Sequence, residues 1–149
     1  MRGCGAAETV HAHAGGRNRS RAQAKRVRRV VIAEDDADIR SLIEIAARRA
    51  GLEIVSTHGD GMSALAAARA SDPDLLVLDV SMPEMTGLEV LQQLRAERDD
   101  TRPRALVVSA SADEPSRSAG ELAGADAYVT KPFTVRDLTS RLSDLAARQ

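Results

Sequence analysis

At 149 residues, 43% of them apolar, the chain has room for one compact domain, which excludes a large multidomain enzyme. No run approaches the roughly 20 apolar residues of a membrane span, and the Arg-studded N-terminus lacks the apolar core of a secretory signal, so a cytoplasmic location is the expectation. The net charge of −1 conceals two opposed segments: residues 1–29 carry eight Arg and Lys against one Glu, whereas residues 30–149 carry thirteen against twenty-one acids.

Cys4, the single cysteine, permits no internal disulfide, and with no clustered partners it anchors no zinc knuckle. Trp is absent and Tyr128 and Phe133 are the only aromatics, which argues against stacking a flavin or a nucleobase. The segment GGRNRSRAQAKRVRR is too charged to bury enough surface to offset its ordering entropy. Residues 1–27 are therefore expected to form a disordered basic arm. Such an arm has several possible roles: touching nucleic acid or a membrane surface, folding back on the acidic domain, or none. His11 and His13, two apart with no third ligand, read as solvated tail.

Beyond the arm, short apolar runs alternate with helical patterns. RVVIA (29–33) predicts a first strand, followed by a helix with Ile39, Leu42, Ile43, Ala46 and Ala47 on one face. EIVST (53–57) and GMSALAAARA (61–70) repeat the pair. LLVLD (75–79) then precedes GLEVLQQLRAE (87–97), whose stripe is Leu88, Leu91 and Leu94. ALVVS (105–109) leads into EPSRSAGELAG (114–124). This fourth helix opens well on Pro115 but holds Gly120 inside and offers mainly Leu122 for burial, so loose docking is expected. AYVT (127–130) and TVRDLTSRLSDLAARQ (134–149), with Leu138, Leu142 and Leu145, complete the chain. Five strands alternating with five helices predict an α/β fold, a doubly wound sheet of five parallel strands over residues 28–149. Function in such sheets sits at the strands' C-terminal ends, beside the switch in strand order.

The first strand ends in Glu34, Asp35 and Asp36, the third in Asp79, the fourth in Ser109, and the fifth runs from Tyr128 to Lys131, Pro132 and Phe133. An acidic triplet after a strand can simply cap the next helix. Asp79 is different, because a charge closing a buried strand costs free energy unless a cation offsets it. A hard divalent ion, naturally Mg²⁺, or the Lys131 ammonium can supply that charge. Nineteen of the twenty-one basic residues are Arg, so a lysine here suggests a need for a compact point charge. Ser109 is open to two readings, a backbone cap or a donor to an oxyanion beside Lys131.

The pieces VVIAEDDADIR, LLVLDVSMPEMTGLEVL, ALVVSASAD and GADAYVTKPF occur in that order, with 44 residues from Asp35 to Asp79, 30 to Ser109 and 22 to Lys131. In this order and spacing the chain resembles the receiver domain of bacterial response regulators, the phospho-acceptor half of two-component signalling, over residues 28–148. The resemblance implies a flavodoxin-like sheet of order 2-1-3-4-5. It makes Asp79 the acceptor of a phosphoryl group from a histidine kinase or phosphotransfer protein. Mg²⁺ would be held by Glu34, Asp35, Asp79 and the Ser81 carbonyl. Ser109 and Lys131 would bind phosphoryl oxygens, Tyr128 would act as the aromatic switch, and the Lys131-Pro132 bond would be cis. Glu34 stands where the family more often has Asp, and Ser109 where it often has Thr.

With no output domain after the last helix, the expected output is a downstream protein contact on the face formed by the fourth helix, the fifth strand and the fifth helix, with the chain a monomer or a phosphorylation-dependent dimer. Apart from its own phosphorylation and dephosphorylation no enzyme activity is expected. The alternative is a phosphorylation-gated nucleic-acid binder acting through residues 1–29. A phosphohydrolase is disfavoured because Ser81, and not a second acid, stands two residues past Asp79. A flavin carrier lacks its phosphate loop and its stacking aromatics.

Overall fold

The computed structural model describes residues 26–98 and 102–148, so Cys4, His11, His13 and all but the last residues of the expected basic arm lie outside the described residues. Each apolar run forms a strand and each periodic stretch a helix, in the order β1 (Arg29–Ala33), α1 (Ala37–Arg49), β2 (Glu53–His58), α2 (Gly61–Ser71), β3 (Leu75–Asp79), α3 (Gly87–Glu97), β4 (Arg104–Ser109), α4 (Glu114–Ala123), β5 (Ala127–Thr130) and α5 (Val135–Ala147). The strands pair in parallel in the order β2-β1-β3-β4-β5, as expected. Strand direction is uniform because each return crosses a face of the sheet as a helix.

Alternation along the strands divides the core in two. Val30, Ile32, Val77, Leu106 and Val108 face α1 and α5, meeting Ile43, Ala46, Leu138, Leu142 and Leu145. Their neighbours Val31, Ala33, Leu76, Leu78 and Val107 face α2, α3 and α4, meeting Leu65, Val90, Leu91, Leu94 and Ala123. β3, central and covered on both sides, is buried over its whole length, which is why it reads as a continuous apolar run. All five helices begin on a side-chain cap: Asp36, Asp60, Thr86, Asp113 and Thr134. Thr86 and Glu89 close a reciprocal capping box at the start of α3.

Two packing expectations need correction. Leu122, expected to anchor α4, is 88% exposed. The buried positions are Gly120 and Ala123, and the Tyr128 ring closes over Gly120, where a Cβ would stand 3.0 Å from it. α4 therefore docks on small residues, and its apolar anchoring is thin. Leu42, expected on the inner face of α1, is 40% exposed, since the buried stripe runs through Ile43, Ala46 and Ala47. Arg26, at the foot of the sheet, belongs structurally to the domain: its guanidinium pairs with Asp74 at 2.7 Å.

Candidate functional site

The strand order reverses between β1 and β3, and the C-terminal ends of these strands carry the acids. Glu34 follows β1 and is fully buried, while Asp79 closes β3 at 2% exposure. Asp35, between Glu34 and the capping residue, is exposed. One carboxylate oxygen from each of Glu34, Asp35 and Asp79 can be chosen so that all lie within 4.8 Å of one another. Asp36 takes no part, because its carboxylate accepts the Asp38 and Ile39 N–H groups at 2.9 and 3.0 Å. For that one member of the triplet, capping is the explanation.

Lys131 reaches in from the end of β5. Its Nζ lies 3.1 Å from Glu34 Oε1 and 3.2 Å from Asp79 Oδ1, bridging the two buried acids. The Lys131 N–H donates to the Ser109 carbonyl at 2.7 Å, which continues the β4–β5 ladder, and the Lys131-Pro132 bond is cis, as the resemblance implies. Ser109 is buried at the end of β4, and its Oγ accepts the Ser111 N–H at 3.1 Å. Tyr128 donates its hydroxyl to the Ser111 carbonyl at 2.8 Å, with its ring against Gly120 and the Arg117 guanidinium 5.2 Å from the ring centroid. Ser81 lies exposed in the loop after β3.

One ammonium does not balance this cluster. Burial pushes Glu34 up to about 7, against the Asp36 N–H and Lys131. Burial also raises Asp79, although Lys131 opposes it. Lys131 is held above its ordinary value: burial lowers it, but the Glu34 hydrogen bond and the charges of Asp79 and Glu34 together outweigh that. At Asp79, desolvation prevails over the Glu34 hydrogen bond and the Lys131 ammonium. Asp79 Oδ2 is buried with no hydrogen-bond partner. An orphaned carboxylate oxygen beside two further acids, open to solvent through Asp35, suits a hard, oxygen-seeking divalent cation such as Mg²⁺.

Three supporting residues escaped the sequence reading. Arg40 Nη1 donates to the Glu34 carbonyl at 2.7 Å and holds the end of β1. Gly87 approaches so closely that a Cβ there would stand 2.2 Å from the Asp79 carbonyl oxygen, and one on Gly61 would stand 2.0 Å from that of Met85. Gly61 and Gly87 each follow a helix cap, a visible signal, but the close approach that requires glycine is tertiary.

A family model described as the response regulator receiver domain matches residues 30–143. Among curated proteins, the chain is 43% identical over 119 residues to TcrX of Mycobacterium tuberculosis, described as a probable transcriptional regulatory protein, covering 80% of this chain and 50% of that one. It is 33% identical over 121 residues to the alkaline phosphatase synthesis transcriptional regulatory protein PhoP of Bacillus subtilis, covering 81% and 49%. The chain thus spans about half the length of these relatives. Among solved structures it resembles the chemotaxis protein CheY4 of Vibrio cholerae, at 28% identity and TM-score 0.72, covering 80% of this chain and 98% of that one. A CheY-like receiver domain protein of Methanospirillum hungatei matches at 25% identity and TM-score 0.72, covering 80% and 94%.

Proposed function

The chain belongs to the response regulator receiver domain family, and on that premise we propose that Asp79 accepts a phosphoryl group from the phosphohistidine of a sensor kinase or phosphotransfer protein. A carboxylate oxygen of Asp79 attacks phosphorus in line, the P–N bond to imidazole breaks, and the imidazole leaves with a proton from solvent. The product is an acyl phosphate on Asp79. Transfer needs a fixed nucleophile and neutralisation of the charge on three equatorial oxygens. Gly87 and the buried end of β3 fix the nucleophile. The Lys131 ammonium exchanges its bond to Asp79 for one to the incoming group, and the Ser109 hydroxyl, which can rotate, donates a second. Mg²⁺ would be held by Glu34, Asp35, Asp79 and the Ser81 carbonyl, and would supply positive charge that offsets the acids and the charge on the phosphoryl group.

The observation that carries this reading is the bridge from Lys131 to Glu34 and Asp79 beside the unpartnered Asp79 Oδ2. Output follows through Ser109 and Tyr128 to the α4-β5-α5 face and a downstream protein, and the chain catalyses no reaction beyond its own phosphorylation and dephosphorylation. No described helix is long and apolar enough to cross a membrane; a cytoplasmic setting is part of the proposal. Incubation with a small phosphodonor and Mg²⁺ should add the mass of one phosphoryl group, and Asp79→Asn or EDTA should prevent it. Phosphorylation that persists in Asp79→Asn would overturn the assignment.

A further inference from the structure

The opposite edge of the sheet, where the strands begin, carries the other sign of charge. One hollow there, of about 270 Å³, is lined by Arg26, Arg98, Arg102, Asp72, Pro73 and Asp74. A narrower one shares Arg102 and Asp74 and adds Arg28, Arg104 and Arg148. Six arginines thus meet Asp72 and Asp74, with Asp126 3.3 Å from Arg104, in a domain that otherwise carries excess acid.

The two aspartates do not cancel this charge; they arrange it. Asp74, 8% exposed, accepts from Arg26 at 2.7 Å, Arg102 at 3.1 Å and the Arg29 N–H at 2.8 Å, so its charge is spent holding two guanidinium groups in place. Asp72, its side chain 78% exposed, pairs with Arg98. An exposed pair of this kind is weak and screened by solvent, so Arg98 can turn to a competing anion at little cost. Guanidinium forks match phosphate oxygens two at a time. Neither hollow has an aromatic residue, so bases would find nothing to stack on. Arg2, Arg17, Arg19, Arg21 and Lys25 precede Arg26 in the sequence and add basic charge to the segment that enters the domain here.

We propose that this arginine-lined edge binds a run of phosphates, read through their charge and spacing and not through any base, at the end of the domain opposite Asp79. A nucleic-acid backbone and a free polyphosphate share that chemistry. The test is calorimetry of the full chain with inorganic tripolyphosphate at low salt, followed by competition with a 20-base-pair duplex of mixed sequence. The key variant is R28Q/R98Q/R148Q, which leaves Asp74 both its arginines; a matched melting temperature checks its fold.

Tripolyphosphate affinity should fall about tenfold or more in that variant and stay nearly unchanged in the arm variant R17Q/R19Q/R21Q. In wild type, tripolyphosphate should shift the amide resonances of residues 26–29, 72–75, 102–105 and 145–148. If duplex displaces tripolyphosphate, nucleic acid is the source, and the salt slope of duplex binding should fall by about 2–3 in R28Q/R98Q/R148Q, at roughly 0.9 per lost phosphate contact. Indifference to duplex would assign free polyphosphate. Absence of tripolyphosphate binding at low salt, unchanged affinity in R28Q/R98Q/R148Q, or loss of all binding in the arm variant would overturn the proposal.

Discussion

A methyl group has no place on Gly87. Its Cβ would lie 2.2 Å from the Asp79 carbonyl oxygen and 3.1 Å from Leu78 Cβ, so either the end of β3 or the start of α3 must move. Overpacking of this kind costs about 1–3 kcal/mol, and Gly87→Ala should lower the melting temperature and slow phosphorylation of Asp79 together. A variant with wild-type melting and rate would show that the loop absorbs the methyl group. Asp74 makes a different kind of statement. Burial raises its carboxyl, but Arg26, the Arg29 N–H and Arg102 outweigh that and hold it below its ordinary 3.8. The native state therefore takes up this proton less readily than the unfolded chain. The stability it contributes is present above pH 3.8 and disappears as pH falls through the lower native value. Asp74→Asn should melt earlier than wild type at pH 7, with the gap narrowing below about pH 4; a gap constant across that range would remove Asp74 from the acid limb. Asp79 and Lys131 were conspicuous in the sequence because a charge at the end of an apolar run is costly. Gly87 and Arg40 were not, because their roles lie in what the backbone brings near them.

α4 shows where periodicity misleads. Leu122 is its largest apolar side chain and was the natural anchor, yet the inward face is Gly120 and Ala123, with the Tyr128 ring closing over Gly120. Leu122→Ser should change stability by less than about 0.5 kcal/mol. A destabilisation of 2–5 kcal/mol, as for a buried leucine, would contradict its exposed position. A helix seated on two small residues can shift cheaply, and the loop before it runs through Ser111, which links Ser109 to the Tyr128 hydroxyl. Beryllofluoride with Mg²⁺ should therefore move amide resonances mainly in residues 109–135 and little in α2. Ser109→Ala should blunt that response while phosphorylation of Asp79 stays detectable, because the nucleophile is untouched. A full response in Ser109→Ala would route the switch through another residue.

At the scale of the whole molecule, the sheet was the most legible feature, since five apolar runs at regular intervals leave few other arrangements. Less legible was the division of labour between its faces, because a fully buried strand such as LLVLD shows no alternation until its neighbours are known. Leu91 and Leu142 now fall in separate cores, one on each side of the sheet. Leu91→Ala and Leu142→Ala should each cost about 2–5 kcal/mol, and the double variant should equal their sum within about 0.5 kcal/mol. Strong coupling between them would mean that the sheet transmits repacking from one face to the other.

The beginning and the end of the described chain are clasped together, with Arg28 Nε donating to the Ala146 carbonyl at 3.3 Å, at the edge remote from Asp79. A fluorescent donor and acceptor placed at these two positions, with Cys4 replaced, would start within contact distance and separate only when the domain unfolds. That pair would be a thermometer, blind to phosphorylation. A single environment-sensitive dye on the exposed position of Leu122 would do the reverse, reporting the state of the switch while adding almost nothing to the load on the fold.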